Sequence, residues 1–326
     1  MNATPSADRT EAGAGAGEFQ AIERWLGMMP APLASGPYRA GDDAVWLKSP
    51  GALTISVDTI AEGVHFQRRW CSPQDLGWRS LQAALSDLAA CRAQPVGFLL
   101  AVSVPANDFQ DCSWLDGVIA GIGEAARHWD CPVLGGDTTS SPAGLVLSLT
   151  VIGQPLGAPL CRAGAQPGQL LQLSGRCGWA ALAVESLLSA EAEPPEQLAA
   201  RALQAWRRPC ARLDLLNSLQ TATAAIDISD GLLADAEHLS KASSCALLLD
   251  RQALLDPELI AVAGESRAAN LTLTGGEDYE LLICTSEPLE GFFTVGEVQE
   301  GKGVRWLSGE RIEAQGIGGW VHGVSG

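Results

Sequence analysis

The chain has 326 residues, 47% of them apolar and 18% charged, which is typical of a globular protein of about two domains rather than of a disordered chain. Its formal charge of -17 argues against a nucleic-acid or anionic-membrane partner, because either would need a basic patch. The acid excess serves either general solubility or the binding of cations.

The spacing of the cysteines and the length of the apolar stretches indicate the cellular compartment of the protein. The nine cysteines lie at least 16 positions apart, which excludes CxxC pairs and metal-finger spacing. The amino terminus lacks the basic start and apolar stretch of a secretory signal, and apolar stretches such as residues 96–104 are too short to cross a bilayer. We therefore expect a cytoplasmic protein with no membrane partner.

Residues 1–17 are rich in Ala and Gly and predict a flexible tail. Residues 18–153 are predicted to form a first domain, in which helices and strands alternate as in an α/β or α+β fold. Its predicted helices are 18–28, 72–91 and 113–129, and its predicted strands are 44–47, 53–57, 96–104, 132–134 and 144–152.

A segment dense in Gly, Pro and Ala over 154–168 is predicted to lead into a second α/β domain, residues 154–326. Its predicted strands are 170–173, 224–228, 245–249, 279–284 and 293–298, and its predicted helices are 178–188, 195–207, 209–219 and 229–242. Residues 296–303 have the Gly and Lys spacing of a phosphate-binding loop. Gly303 replaces the required Ser or Thr, however, and we predict a hairpin turn instead.

Carboxylates occur in short motifs beside predicted strands. Asp42 and Asp43 precede one strand, Asp58 is predicted to end the next, and Asp137 lies in Gly-Gly-Asp-Thr-Thr after a short strand. Each of these, taken alone, is explained equally well as a turn residue. Asp87 falls on a predicted helical face of Ala and Cys, where a carboxylate is either exposed or buried against a cation or a donor.

Two further motifs belong to the second domain. Asp227, Ser229 and Asp230 crowd one strand-to-helix turn, and helix capping explains one of them but not all three. Glu277 lies in Gly-Gly-Glu-Asp-Tyr-Glu, which is either a solvated turn or part of a site. If these carboxylates converge, their mutual repulsion requires divalent cations, and an all-oxygen ligand set selects magnesium.

Several common motifs are missing from the sequence. There is no Gly-x-Gly-x-x-Gly after a strand, no Gly-x-Ser-x-Gly and no His-Glu-x-x-His, which argues against dinucleotide, serine-hydrolase and zinc-protease chemistry. Among the four histidines, His65 alone lies near the acidic motifs, as either a structural or a functional residue.

Read in order, these motifs resemble the thiamine-monophosphate kinases, a family within the superfamily of aminoimidazole ribonucleotide synthetase. The ordered set is Gly-Asp-Asp-Ala, Ser-Val-Asp-Thr-Ile with Gly-Val-His-Phe, Leu-Ser-Asp-Leu-Ala-Ala, Gly-Gly-Asp-Thr-Thr, Ile-Asp-Ile-Ser-Asp-Gly-Leu and Gly-Gly-Glu-Asp-Tyr-Glu-Leu. The resemblance runs from about residue 17 to 320. It implies two α/β domains, a homodimer formed through the amino-terminal sheet, and active sites in the clefts between domains.

The resemblance also implies roles for individual residues. Several magnesium ions would be bound by Asp43, Ser56, Asp58, Asp87, Asp137, Asp227 and Asp230. ATP would contact Gly136, Asp137, Arg162 and Ser229. Thiamine monophosphate would contact His65, Glu277 and Trp320. No residue is expected to act as a general base, because the attacking phosphate oxygen is already ionised and the transfer is assisted by metal.

One position departs from the family pattern. Val57 stands where the family commonly has a threonine that binds magnesium, so that ligand is lost or replaced by a backbone carbonyl. A nucleotide-binding regulator with little turnover therefore remains an alternative. Selenophosphate synthetase and the hydrogenase-maturation dehydratase are further alternatives in the superfamily, although the sequence shows neither a reactive amino-terminal Cys motif nor a terminal cysteine.

Overall fold

The computed structural model describes residues 14–30, 51–105, 108, 111–158, 160–188 and 196–312, with the backbone alone for 14–19 and 196–199. The strand predicted over 44–47, Asp43 and Trp320 lie outside these ranges. The first helix begins at Ala14, which is inside the segment predicted as a tail.

The amino-terminal part is a four-stranded sheet covered by helices. Its elements are α1 Ala14–Met28, β1 Thr54–Ala61, α2 Pro73–Ala90, β2 Ala93–Pro105, α3 Ser113–His128, β3 Val133–Ser141 and β4 Val146–Pro155. The strand order is β1-β4-β2-β3, with β2 and β3 parallel and the other pairs antiparallel. A parallel pair needs a crossover, and α3 supplies it.

Helix α2 is the central helix of the molecule. The Ser72 hydroxyl accepts a hydrogen bond from the Asp75 amide at 3.1 Å, and Pro73 occupies the first turn, as a stable helix start requires. Every residue from Leu76 to Ala90 is buried except Trp78 and Asp87. Asp87 is therefore partly exposed on a helix that is otherwise enclosed.

The carboxy-terminal part contains a six-stranded sheet in the order β10-β7-β9-β5-β8-β6. Only β10 and β7 are parallel. The strands are β5 Leu170–Leu173, β6 Ala224–Asp227, β7 Cys245–Leu249, β8 Leu281–Thr285, β9 Phe293–Glu300 and β10 Gly303–Trp306. The helices are α4 Trp179–Leu188, α5 Glu196–Arg207, α6 Leu232–Ser243, α7 Arg251–Leu254, α8 Pro257–Ala263 and α9 Glu265–Thr274.

Some local predictions were wrong. Residues 209–219 form two short 3-10 turns instead of a helix, because Arg212 has a left-handed φ of 46°. Helices α7 and α8 were missed although Asp250 and Asp256 cap them, and α9 was missed as well. The hairpin expected over 296–303 is a crossover, since β10 pairs with β7 rather than with β9.

Two acidic motifs also lie in different structure from that predicted. Asp58 is in the interior of β1 rather than at a strand end, and Asp137 is inside β3 rather than in a loop. Position 136 in this strand requires glycine, because a Cβ there would lie 1.9 Å from the Leu100 carbonyl oxygen of β2.

The predicted α/β fold is confirmed, with one sheet in each part of the chain. The domain boundaries at 17 and 153 stay predictions. In the part of the chain that the structure describes, no helix is both long and apolar enough to cross a bilayer.

Candidate active site

A cleft of about 600 Å³ lies between the two parts of the chain. The amino-terminal part contributes β1, the segment after it and α2, whereas the carboxy-terminal part contributes α4, the end of α5, α9 and two turns. These turns are Ser229-Asp230 after β6 and Gly275-Gly276-Glu277 before β8. Seven of the predicted site residues line the cleft: Asp58, His65, Asp87, Asp227, Ser229, Asp230 and Glu277.

One end of the cleft is acidic. Asp87 accepts a hydrogen bond of 2.5 Å from the Ser56 hydroxyl, which places a predicted pair of ligands from β1 and α2 side by side. Asp227 is 5% exposed, and its burial, followed by the charge of Asp87, raises the pKa of its carboxyl to about 7. Two carboxylates that repel each other in a buried place are stabilised by a proton or by a cation.

The side chains at this end suit magnesium, because they offer carboxylate and hydroxyl oxygens and no sulfur. Asp58, Asp87, Asp227, Asp230 and Ser56 are the residues that would bind it. Among the described residues no three acidic, histidine or cysteine side chains form a ready metal centre. Asp43, a further predicted ligand, lies outside that set.

The turn after β6 is organised by an aspartate that sequence reasoning missed. Asp235, in the first turn of α6, accepts hydrogen bonds from the amides of Ser229 and Asp230, both at 3.1 Å. Burial, followed by the charge of Asp230, raises the pKa of the Asp235 carboxyl to about 7. The sequence signal that could have identified Asp235 was its place in the first turn of a helix, where carboxylates are favourable.

The turn at Glu277 is hydrogen-bonded to the turn at Ser229. The amide of Glu277 donates to the Ser229 carbonyl at 2.9 Å, and the amide of Tyr279 donates to the Ile228 carbonyl at 2.8 Å. Both residues have left-handed backbones, with φ of 73° and 52°, a conformation that costs free energy in non-glycine residues and is concentrated at functional sites. A Cβ at Gly276 would lie 2.4 Å from the Ser229 carbonyl oxygen, so this close approach requires glycine.

The other end of the cleft is aromatic and apolar. Trp70 and Trp206 meet edge to face, with ring centroids 6.0 Å apart, and both line the cleft. Val64, Val184 and Leu188 line it as well. The tryptophans were missed because no motif or spacing connects positions so distant in sequence.

His65 lies in the segment after β1. Its Nδ1 atom accepts a hydrogen bond from the Ala61 amide at 3.0 Å, which fixes the ring and puts the proton of the neutral imidazole on Nε2. The residue is therefore held in place at the wall of the cleft.

Four described residues of the predicted site do not line the cleft: Ser56, which bonds to Asp87, and Gly136, Asp137 and Arg162. The strand register places Asp58 opposite Leu149, Leu149 opposite Leu100, and Leu100 opposite Gly136. Because neighbouring residues of a strand point to opposite faces, Asp137 lies on the other face from Asp58. The strands β1 and β3 are also the two edges of the sheet, three strand spacings or about 14 Å apart.

Val57 shares that outer face with Asp137. It pairs with Thr150, which pairs with Leu99, and its side chain is 63% exposed. Ile55, also on this face, is 61% exposed. The side chain that departs from the family pattern thus points to the outer face of the sheet, while Val57 also lines the cleft next to Asp58.

Comparisons with known proteins identify the family of the chain. The family model described as AIR synthase related protein, N-terminal domain, matches residues 41–154. The chain is 33% identical over 290 residues to the thiamine-monophosphate kinase of Salmonella typhimurium, with 87% of each chain covered. The chain belongs to the thiamine-monophosphate kinase family.

Solved structures agree with membership of the thiamine-monophosphate kinase family. A structure described as AaThiL complexed with AMPPCP and TMP is 27% identical, with a TM-score of 0.76 and coverage of 99% of this chain and 100% of that one. The Escherichia coli hydrogenase maturation protein HypE is 18% identical, with a TM-score of 0.69 and coverage of 92% and 98%, which shows a shared fold alone. The predicted resemblance, and the prediction of an enzyme of this family, are confirmed.

Proposed function

We propose that the protein transfers the γ-phosphoryl group of ATP to thiamine monophosphate, giving ADP and thiamine diphosphate. The observation that best supports this function is the two-ended cleft, acidic around Asp87 and Asp227 and aromatic around Trp70 and Trp206. The acceptor has the same two-ended character, with a phosphate at one end and planar rings at the other. A relative of the family was solved with AMPPCP and TMP.

At the acidic end, the chain's contribution is to bind and position phosphates. Bound magnesium ions would neutralise the phosphate charges and stabilise the transferring group. Asp58, Asp87, Asp227 and Asp230 would hold them, and Ser56 orients Asp87 through its 2.5 Å hydrogen bond. The acceptor phosphate is already ionised, and no side chain has to remove a proton from it. The transfer we propose is direct and in line, with both phosphates at this one end of the cleft.

At the other end, the chain would bind the rings of the acceptor. Trp70 and Trp206 offer flat apolar surfaces, and His65 and Glu277 offer polar groups at the wall. Charged and aromatic groups in this arrangement suit a cationic heteroaromatic ring. Trp320, the predicted stacking residue, lies outside the described residues and stays a prediction.

The position of Asp137 supports a homodimer in which the partner completes each site. In one chain Asp137 cannot reach Asp58, because it lies at the opposite edge and on the opposite face of the sheet, and Gly136 lies at that same opposite edge. The exposed outer face carries the apolar side chains Ile55 and Val57, which a second copy would cover. We propose that Asp137 serves the cleft of the partner chain, across an interface that includes the outer face of β1.

The direct test is an assay of purified protein with ATP, magnesium chloride and thiamine monophosphate, followed by detection of thiamine diphosphate. Thiamine, which lacks the acceptor phosphate, is the matched control and should give no product. Chelation of magnesium should stop the reaction. Binding of ATP without formation of thiamine diphosphate would contradict the proposal and support the nucleotide-binding regulator instead.

A further inference from the structure

A buried arginine lies behind the aromatic end of the cleft. Arg79, in the middle of α2, is 1% exposed. Its guanidinium contacts the carboxylate of Glu277 and lies 4.0 Å over the ring of Trp206. One cation on the amino-terminal part therefore contacts two cleft residues of the carboxy-terminal part, one on α5 and one in the turn before β8.

The burial of this cation is costly and has to be compensated. Burial lowers the pKa of the Arg79 guanidinium, which shows that its surroundings disfavour the charge. The carboxylate of Glu277 and the π face of Trp206 lie against the guanidinium, and Tyr279, Cys71 and the charge of Asp58 also favour its charged form. Removing Arg79 takes one contact from Glu277 and one from Trp206 at the same time, so the three side chains form one unit.

Glu277 is fixed at both of its ends. Its amide donates to the Ser229 carbonyl at 2.9 Å, and its carboxylate contacts Arg79. The hydroxyl of Tyr279 also donates to Glu277 Oε2, at 3.4 Å. The side chain keeps 25% exposure and lines the cleft. The charge of Arg79 offsets that of Glu277. The position of the Glu277 carboxylate therefore matters more for the acceptor than its net attraction for a cation.

We infer that Arg79 is a positioning residue for the acceptor, which holds the Glu277 carboxylate and the Trp206 ring where the planar end of the acceptor binds. This inference rests on the proposed function, because it assigns the aromatic end of the cleft to the acceptor. A guanidinium is suited to the task, since it lies 4.0 Å over the Trp206 ring while one of its terminal nitrogens contacts Glu277. A lysine ammonium supplies the charge without the plane.

The proposed role of Arg79 affects the binding of the acceptor and not that of ATP. Arg79 contacts two residues of the acceptor end, whereas its link to the phosphate end is the longer-range charge of Asp58. A positioning role therefore predicts weaker binding of the acceptor with little change for ATP. A role in general stability predicts a lower unfolding midpoint and equal effects on both substrates.

The test is a steady-state comparison of wild type, Arg79→Lys and Arg79→Met. We expect Arg79→Lys to raise KM for thiamine monophosphate about 10-fold and Arg79→Met to raise it further, with KM for ATP within about twofold of wild type. Arg201→Lys is the matched control, because Arg201 lies 4.0 Å over Trp179, pairs with Asp256 and is not among the residues that line the cleft. It should leave both KM values unchanged.

A second measurement does not depend on turnover. Denaturant unfolding of Arg79→Met, Glu277→Gln and the double variant should give a double loss smaller than the sum of the single losses, as expected for residues in one unit. In the Glu277→Gln background, Arg79→Lys should raise KM for the acceptor by a smaller factor than in wild type. If Arg79→Met does not fold, Arg79→Lys and Glu277→Gln suffice for both measurements.

The outcomes distinguish the two proposals. A wild type that forms no thiamine diphosphate overturns the proposed function. An active wild type in which Arg79→Lys leaves KM for thiamine monophosphate unchanged overturns the positioning role alone. A parallel rise in both KM values, or additive losses in unfolding, also overturns it and reduces Arg79 to a structural residue.

Discussion

Asp87 on α2 and Asp227 at the end of β6 come from different parts of the chain, and the charge of the first acts on the second. Burial, and after it the charge of Asp87, raises the pKa of the Asp227 carboxyl to about 7. The folded chain therefore maintains a repulsion that a bound cation relieves. This relationship is the basis of the first two predictions.

Asp87→Asn should abolish most turnover without unfolding the protein. The amide keeps an oxygen that accepts from Ser56, but it removes the charge that would bind metal. We expect kcat to fall at least about 100-fold, since metal stabilisation of phosphoryl transfer is worth several kcal/mol. The unfolding midpoint without metal should stay equal or rise, because a repulsion is lost.

Asp116→Asn is the control for this substitution, because Asp116 pairs with Arg24 and does not line the cleft. It should retain wild-type kcat. Full activity in Asp87→Asn would show that Asp87 is not a ligand.

Magnesium should stabilise the wild type more than variants of the acidic end. A ligand at 100 times its dissociation constant adds about 2.7 kcal/mol to the free energy of unfolding, which corresponds to several degrees in Tm. Asp227→Asn should lose at least half of that rise in a thermal melt, measured against sodium chloride of equal ionic strength. An equal rise in wild type and variant would argue against a metal at Asp227.

The stability of the metal-free protein should depend on pH through Asp235. Its pKa is about 7 in the folded protein, above the ordinary value of 3.8, so the folded state binds more protons between these values. The stability that this proton gives is complete below about pH 4 and is lost as pH rises to 7.

The comparison for Asp235 is the asparagine variant, which has no proton to lose. The Tm difference, wild type minus Asp235→Asn, should fall between pH 5 and pH 8 in melts without magnesium. A difference that is constant or rises over this range would contradict the raised pKa.

Two inactive variants should restore activity when they are co-expressed. If each cleft uses Asp87 of one chain and Asp137 of its partner, a dimer of Asp87→Asn with Asp137→Asn has one intact site. Random pairing makes half of the dimers mixed, each with one of two sites intact, and predicts about one quarter of wild-type activity.

Co-expression of Asp87→Asn with Asp227→Asn is the matched control, because both residues line the cleft of a single chain. It should restore nothing. Restoration in the control, or none in the first pair, would mean that the site is not shared in this way.

Sequence reasoning predicted the elements with strong local signals. The span of β5 was predicted to the residue, and α2 and α3 were predicted to within two residues at each end. The ordered acidic motifs also predicted seven residues that meet in one cleft. Apolar periodicity and capping residues act over a few positions, which is why they are readable in one sequence.

What sequence reasoning missed depends on contacts between distant segments. Trp70, Trp206 and Arg79 meet only because α5 packs against α2, and no local pattern indicates that approach. The separation of Asp137 from Asp58 depends on strand order, since a sheet with β1 and β3 adjacent would have brought the edges together. Left-handed Arg212 ended a helix that its apolar periodicity favoured.

The hydrogen bonds that Asp235 accepts from Ser229 and Asp230 affect how nucleotide can enter the cleft. In many proteins the amides of a strand-to-helix turn are donors to phosphate, but this turn has already given two of them to a carboxylate of its own. An incoming polyphosphate meets negative charge there, and its counter-ions must arrive with it. Nucleotide binding and metal binding are therefore linked, and each should raise the affinity for the other ligand by the same factor.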